Sequence, residues 1–153
     1  MQTLELKIPP PVVWLIFAGL MWLASWRFPA FDFSVPARHV LATGFALGGL
    51  LVSVLGVASF RKAGTTLNPL KPDSSSALVA SGIYRLTRNP MYLGLLLTLV
   101  GWATFLANTL ALAWLPLFIL YLTRFQIMPE ERALAKRFGA DFVAYQSKVR
   151  RWL

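Results

Sequence analysis

Residues 91–123 run for 33 positions without a charge, and no other feature limits the fold of this chain so tightly. As one helix they would span about 50 Å at ~1.5 Å per residue, against a hydrocarbon core about 30 Å thick. The run is therefore read as a hairpin of two short helices, 91–106 and 110–123. Its break falls at Ala107-Asn108-Thr109, with Thr109 placed to cap the second helix. Residues 40–60 form another uncharged run of 21 positions, enough for one crossing. A shorter apolar stretch, 12–26, follows Pro9-Pro10-Pro11. Glu5 ahead of it and the lack of a small-residue cleavage site favour a retained helix over a signal peptide.

These runs predict an all-α, polytopic membrane protein with about four transmembrane helices, near 10–28, 38–61, 90–106 and 109–127. A C-terminal amphipathic helix on the cytoplasmic side is expected to follow. No shift in composition divides the chain, so one domain covering 1–153 is expected, with a cytoplasmic loop 61–90 and a cytoplasmic tail 128–153. Basic residues orient it. Arg61, Lys62, Lys71, Arg85 and Arg88 precede the third helix, and Arg124, Arg132, Lys136, Arg137, Lys148, Arg150 and Arg151 follow the fourth. Only Arg27 and Arg38 fall on the other side, which places both termini in the cytoplasm by the positive-inside rule.

With 57% hydrophobic residues and a formal net charge of +9, the chain suits a bilayer with anionic headgroups rather than nucleic acid. It has no cysteine, which excludes disulfides, thiolate nucleophiles and Cys-based metal sites, and no metal is expected. The six tryptophans read as an aromatic belt or lipid-facing surface. Gly44-x-x-x-Gly48, with Gly49, Ser53 and Gly56, reads as a small-residue face for close helix packing within the chain, and no homodimer is predicted. His39, the single histidine, stands apart from the other polar clusters and reads as interfacial.

Two polar segments exceed what anchoring requires. In 82–94, GIYRLTRNPMYLG, Pro90 suits a first helical turn and Asn89 suits the N-cap. The exposed N–H groups of such a helix start, with Arg88 beside them, attract an anion. In the tail, Pro129 is read as opening a helix with Glu130 and Glu131 in its first turn. Leu134, Phe138, Phe142 and Tyr145 then recur at helical spacing, as an anchor or a lid. Arg88 can take a carboxylate and Glu130 or Glu131 an ammonium group. Tyr84, Tyr92 and the pair Leu78-Val79 offer surfaces for a planar ring. The set suits a ligand with an amino-acid end and an aromatic end.

At these residues the chain resembles the integral-membrane methyltransferases that include isoprenylcysteine carboxyl methyltransferase and the phospholipid N-methyltransferases. The resemblance covers roughly residues 60–151, through LVASGIYRLTRNPMYLG, the acidic pair Glu130-Glu131 and FGADFVAYQSKVRR. It implies a membrane enzyme that uses S-adenosyl-L-methionine, held between the cytoplasmic loop and the tail. The matching positions are Ser76, Ala77, Leu78 and Val79, then Tyr84, then Arg88, Asn89, Pro90, Met91 and Tyr92, with Glu130 implied as the partner of the cofactor's amino group. Asn89 replaces a histidine usual in the prenylcysteine enzymes, a change shared by bacterial relatives, which implies a bacterial inner membrane.

Gln126 stands where those enzymes orient a substrate carboxylate with arginine, and Arg124 is the nearest substitute. Gln126 and Arg124 are thus expected to face the acceptor, and Glu131 is the candidate base if the acceptor is an amine. The acceptor is expected to be small, amphipathic or lipid-like, carrying an amine, a thiol or a carboxylate. The alternative is a non-catalytic membrane scaffold or partner subunit, in which the same residues serve as caps and anchors and bind no cofactor.

Overall fold

The computed structural model of the chain describes residues 5–64 and 77–153, which are helical apart from turns and one isolated bridge between Asp32 and Asn108. Six α-helices follow one another among the described residues: α1 (Pro10–Arg27), α2 (Arg38–Lys62), α3 (Pro90–Leu106), α4 (Thr109–Leu122), α5 (Met128–Phe138) and α6 (Ala140–Lys148). α3 is central, with α2 along one side of it and α1 and α4 along the other. Among the described residues, two helices are long and apolar enough to cross a membrane: α2, and the continuous helix Thr109–Phe138 that contains α4 and α5.

α2 and α3 meet almost backbone to backbone. A Cβ added at Gly94 would lie 2.5 Å from the Gly49 carbonyl oxygen, and one at Gly101 would lie 2.7 Å from that of Ala42. Glycine is therefore required at this seam by space, not by backbone angle. Only part of the expected small-residue face is used. Gly49, Ser53 and Gly56 pack on α3, whereas a Cβ at Gly44 or Gly48 would have nothing within 4 Å. On a helix of 3.6 residues per turn Gly49 and Gly56 lie two turns apart on one face, and Gly48 falls off it.

On the other side of α3, Val13, Phe17, Met21, Leu99, Phe118 and Leu122 form the apolar core, with Phe17 edge-on to Phe118 at 5.3 Å. Tryptophan is not merely a belt here. Trp14 Nε1 donates to the Leu95 carbonyl at 3.1 Å and Trp102 Nε1 to that of Ala18 at 3.0 Å, so each ties α1 to α3. Trp22 and Trp26 do lie exposed, stacked on each other.

The hairpin breaks where the sequence predicts, but Asn108, not Thr109, is the cap. Its Oδ1 accepts from Leu110 N–H and Ala111 N–H, and its Nδ2 donates to the Phe28 carbonyl and to Asp32. Asparagine accepts two N–H groups through Oδ1 and donates two hydrogens through Nδ2, whereas a threonine hydroxyl has one hydrogen to donate. This cluster closes one end of the bundle, where His39 also sits edge-on to Phe105.

At the other end Pro129 does not open a helix. It lies inside one, next to a wider π turn, Thr123–Ile127, where the Met128 N–H reaches back to the Thr123 carbonyl. Proline has no N–H, so the carbonyl four residues earlier, that of Phe125, loses its helical donor. The Leu6 N–H takes that place at 3.1 Å, with Leu6 at φ 56°. The tail is also not a single helix. Gly139, at φ 51°, divides it into α5 and α6, so the spacing from Phe138 to Phe142 crosses a bend.

Candidate active site

A cavity of about 330 Å³ opens at the end of the bundle where α3 begins. Pro10 and Pro11 line it from α1, and Ser53, Val57 and Phe60 from α2. Ala77, Leu78, Val79 and Tyr84 come from the segment before α3, and Arg88, Asn89, Met91, Tyr92 and Leu95 from the start of α3. Glu130, Glu131 and Leu134 on α5, with Phe142 and Tyr145 on α6, complete the wall. The bend at Gly139 lets two short helices present one continuous wall.

Local structure aims these groups. Gly82, at φ 61°, starts the 3-10 turn Gly82–Arg85, which turns Tyr84 inward until it is 5% exposed, edge-on to Phe60 at 5.4 Å. The Tyr145 hydroxyl donates to the Tyr84 carbonyl at 2.7 Å, joining α6 to that turn. Burial pushes the Tyr145 hydroxyl up to about 12 and that of Tyr84 further still, so both phenols stay neutral near pH 7. Pro90 fixes the first turn of α3 and is itself buried under the wall rather than in it. Asn89 holds the N-cap position without capping. Its Nδ2 donates instead to the Arg151 carbonyl at 2.9 Å.

The charges fall into two groups. Glu130 is reached by the Tyr92 hydroxyl, which donates to Oε1. Glu131 Oε1 lies 3.1 Å from Arg88 Nη2 and also accepts from Arg151 Nε, while its Oε2 accepts from Arg151 Nη2 at 2.6 Å. Both oxygens of Glu131 are thus taken by guanidinium groups, so it holds Arg88 rather than standing free to take a proton. Arg88 keeps a donor in reserve: its Nε–H is buried and has no partner among the described residues. Among the described residues, an unpartnered charged donor and a glutamate reached by one neutral donor therefore share one largely apolar cavity. That pairing suits a ligand carrying both a carboxylate and an ammonium group.

Of the candidate cofactor and catalytic residues, ten line the cavity: Ala77, Leu78, Val79, Tyr84, Arg88, Asn89, Met91, Tyr92, Glu130 and Glu131. Ser76 lies outside the described residues. Arg124 and Gln126 do not line the cavity; both hold the segment ahead of α1. Arg124 Nη1 pairs with Glu5 at 2.7 Å, and the fully buried Gln126 donates from Nε2 to the Ile8 carbonyl at 2.7 Å. Arg132 is a second partner of Glu5. The sequence reading missed Pro10, Pro11, Val57, Phe60 and Leu95 as wall residues. They are apolar positions inside helices, and nothing local in the sequence separates them from lipid-facing neighbours.

The profile of the phospholipid methyltransferase family matches residues 37–141, which contain α2 to α5 and most of the cavity wall. An uncharacterized protein of Haemophilus influenzae is 48% identical over 63 residues, 41% of this chain and all of that protein. The protein-S-isoprenylcysteine O-methyltransferase of Saccharomyces cerevisiae is 35% identical over 82 residues, 52% of this chain but only 33% of the yeast enzyme. No solved structure matches the chain significantly. With its helical architecture and the position of its cavity within the matched region, the chain belongs to the phospholipid methyltransferase family.

Proposed function

We propose that this protein is a membrane-embedded methyltransferase that holds S-adenosyl-L-methionine in the cavity at the start of α3 and methylates an amphipathic or lipid-like acceptor. The observation that carries the reading is the pairing in one apolar cavity of Glu130 and Arg88, whose Nε–H has no partner among the described residues. Arg88 takes the carboxylate of the cofactor's amino-acid end and Glu130 takes its ammonium group. Val79, Tyr84 and Tyr92 frame the adenosine. A scaffold would need neither charge in such a place. In this reading α1 to α4 all cross the bilayer of a bacterial inner membrane. The cavity and both termini then face the cytoplasm, and 1–153 forms one domain.

The cofactor supplies a methyl group activated by a positive sulfur, and its transfer is an in-line displacement. That transfer would form the acceptor–carbon bond as the carbon–sulfur bond breaks, leaving a neutral thioether, and the proton of an amine or thiol acceptor would pass to solvent. The chain's task is alignment and exclusion of water, and good alignment alone contributes about 7–11 kcal/mol. Pro10, Pro11, Val57 and Leu95 give the cavity an apolar end towards the bundle, suited to an acceptor's hydrocarbon part. Arg88 is the only basic residue on the wall among the described residues, and it faces Glu131. Arg124 and Gln126 are committed to residues 5–8. An acceptor carboxylate therefore has no cation to receive it, and we assign the acceptor to the amines or thiols.

Labelled S-adenosyl-L-methionine and the protein in lipid nanodiscs test this, with an amine, a thiol and a carboxylate built on the same hydrocarbon chain. Label should enter the amine or the thiol. Preferential labelling of the carboxylate would overturn the assignment.

A further inference from the structure

We infer that Arg151 is a positioning residue for Arg88, acting through Glu131, and that the last residues of the chain form a latch that keeps the ligand-facing donor of Arg88 free. The inference rests on the reading of the cavity as a cofactor site. Its geometry begins in the main chain. Arg88 N–H donates to the Arg150 carbonyl at 3.0 Å. The Arg151 carbonyl accepts from the Thr87 hydroxyl at 3.3 Å and from Asn89 Nδ2 at 2.9 Å. Arg88 and the residues on both sides of it are thus gripped by two consecutive carbonyls of the tail, Arg88 by the first and its neighbours by the second. Trp152 Nε1 donates to the Thr123 hydroxyl at 3.2 Å, which fixes the tail to the π turn as well.

The side chains explain why the latch bears on the site. Arg151 engages both oxygens of Glu131 with its planar fork, through Nε at 3.1 Å and Nη2 at 2.6 Å. Arg88 therefore meets Glu131 through one nitrogen, Nη2, and its buried Nε–H has no partner among the described residues. Without Arg151, Glu131 has one guanidinium left to satisfy both oxygens. A two-bond carboxylate–arginine pair is the preferred geometry, so Glu131 would draw Nε of Arg88 to itself. The donor meant for the ligand's carboxylate would then be spent inside the protein. The Arg151 side chain is 36% exposed and reaches the cavity wall through Glu131, so it acts by competition rather than by contact with the ligand.

Two ligands separate this role from simple bracing of the fold. S-Adenosylhomocysteine carries the carboxylate, and 5′-methylthioadenosine keeps the nucleoside and thioether but lacks the amino-acid end. Calorimetry on the full chain in detergent should show Arg151→Gln weakening S-adenosylhomocysteine about tenfold while 5′-methylthioadenosine changes less than twofold. Arg151→Lys keeps the charge but not the fork, and should lose about threefold, again only for the carboxylate ligand. If the glutamine variant does not fold, the lysine variant carries the same comparison. Equal losses for both ligands, or none for either, would overturn the latch while leaving the cofactor site standing. A wild type that binds neither ligand would overturn the cofactor reading, and this inference with it.

Discussion

Alanine at Gly94 should damage the protein more than alanine at almost any other exposed or buried small residue. The new Cβ would sit 2.0 Å from Ser53 Oγ, 2.5 Å from the Gly49 carbonyl oxygen and 3.0 Å from Ser53 N. The serine hydroxyl can rotate away. The Gly49 carbonyl is backbone and moves only with α2. Restoring a carbon–oxygen contact of about 3.3 Å means opening the seam by roughly 0.8 Å. That separation also loosens the packing at Gly56 and Gly101, and overpacking of this kind costs about 2–3 kcal/mol. Gly48→Ala, on α2 but facing away from α3, is the control, since nothing lies within 4 Å of its Cβ, and it should change stability by less than about 0.5 kcal/mol. Reversible unfolding in mixed detergent micelles, followed by circular dichroism, reads both. Equal stabilities for Gly94→Ala and Gly48→Ala would refute the claim that the α2–α3 seam is closed backbone to backbone.

Asn108→Ala removes the cap of α4 and leaves the Phe28 carbonyl without its side-chain donor, so the same assay should record a loss of about 2–3 kcal/mol. Substitution of Thr109 with alanine, which breaks no cap, should cost much less. A pH series tests the anchor ahead of α1. The hydrogen bond from Arg124, with the charge of Arg132, holds the Glu5 carboxyl below its ordinary range. Its contribution is therefore present at neutral pH and disappears as pH falls below the ordinary carboxylate range and through its lowered folded value. Wild type should exceed Glu5→Gln in thermal stability at pH 7, and the two should converge towards pH 3.

Much of the helical frame is written in charge spacing. Residues 91–123 could not be one crossing, and the break had to fall where Asn108 interrupts the apolar run. What the sequence did not convey is how two defects are repaired at a distance. Pro129 reads as a helix start because proline and acids both suit a first turn, yet the Phe125 carbonyl it orphans is satisfied by Leu6, far away in the chain. The same distance hid the work of Arg124 and Gln126, whose partners are Glu5 and Ile8. At the site, the residues with chemistry stood out because charge is conspicuous in so apolar a chain. The apolar wall did not, since Val57 or Leu95 on a membrane helix looks the same facing lipid or a ligand. The role of Glu131 was equally hidden, because its second partner, Arg151, lies at the end of the chain.

The central claim is a site in which Glu130 and Arg88 hold the two charged ends of the cofactor. Calorimetric binding of S-adenosylhomocysteine to the purified wild type and to Glu130→Ala tests it most directly. The account predicts micromolar binding by the wild type and a loss of at least about tenfold in the variant, since the buried ammonium group would be left without its carboxylate. A folded wild type that binds nothing in detergent and again in lipid nanodiscs would contradict it, as would a variant that binds as tightly as the wild type.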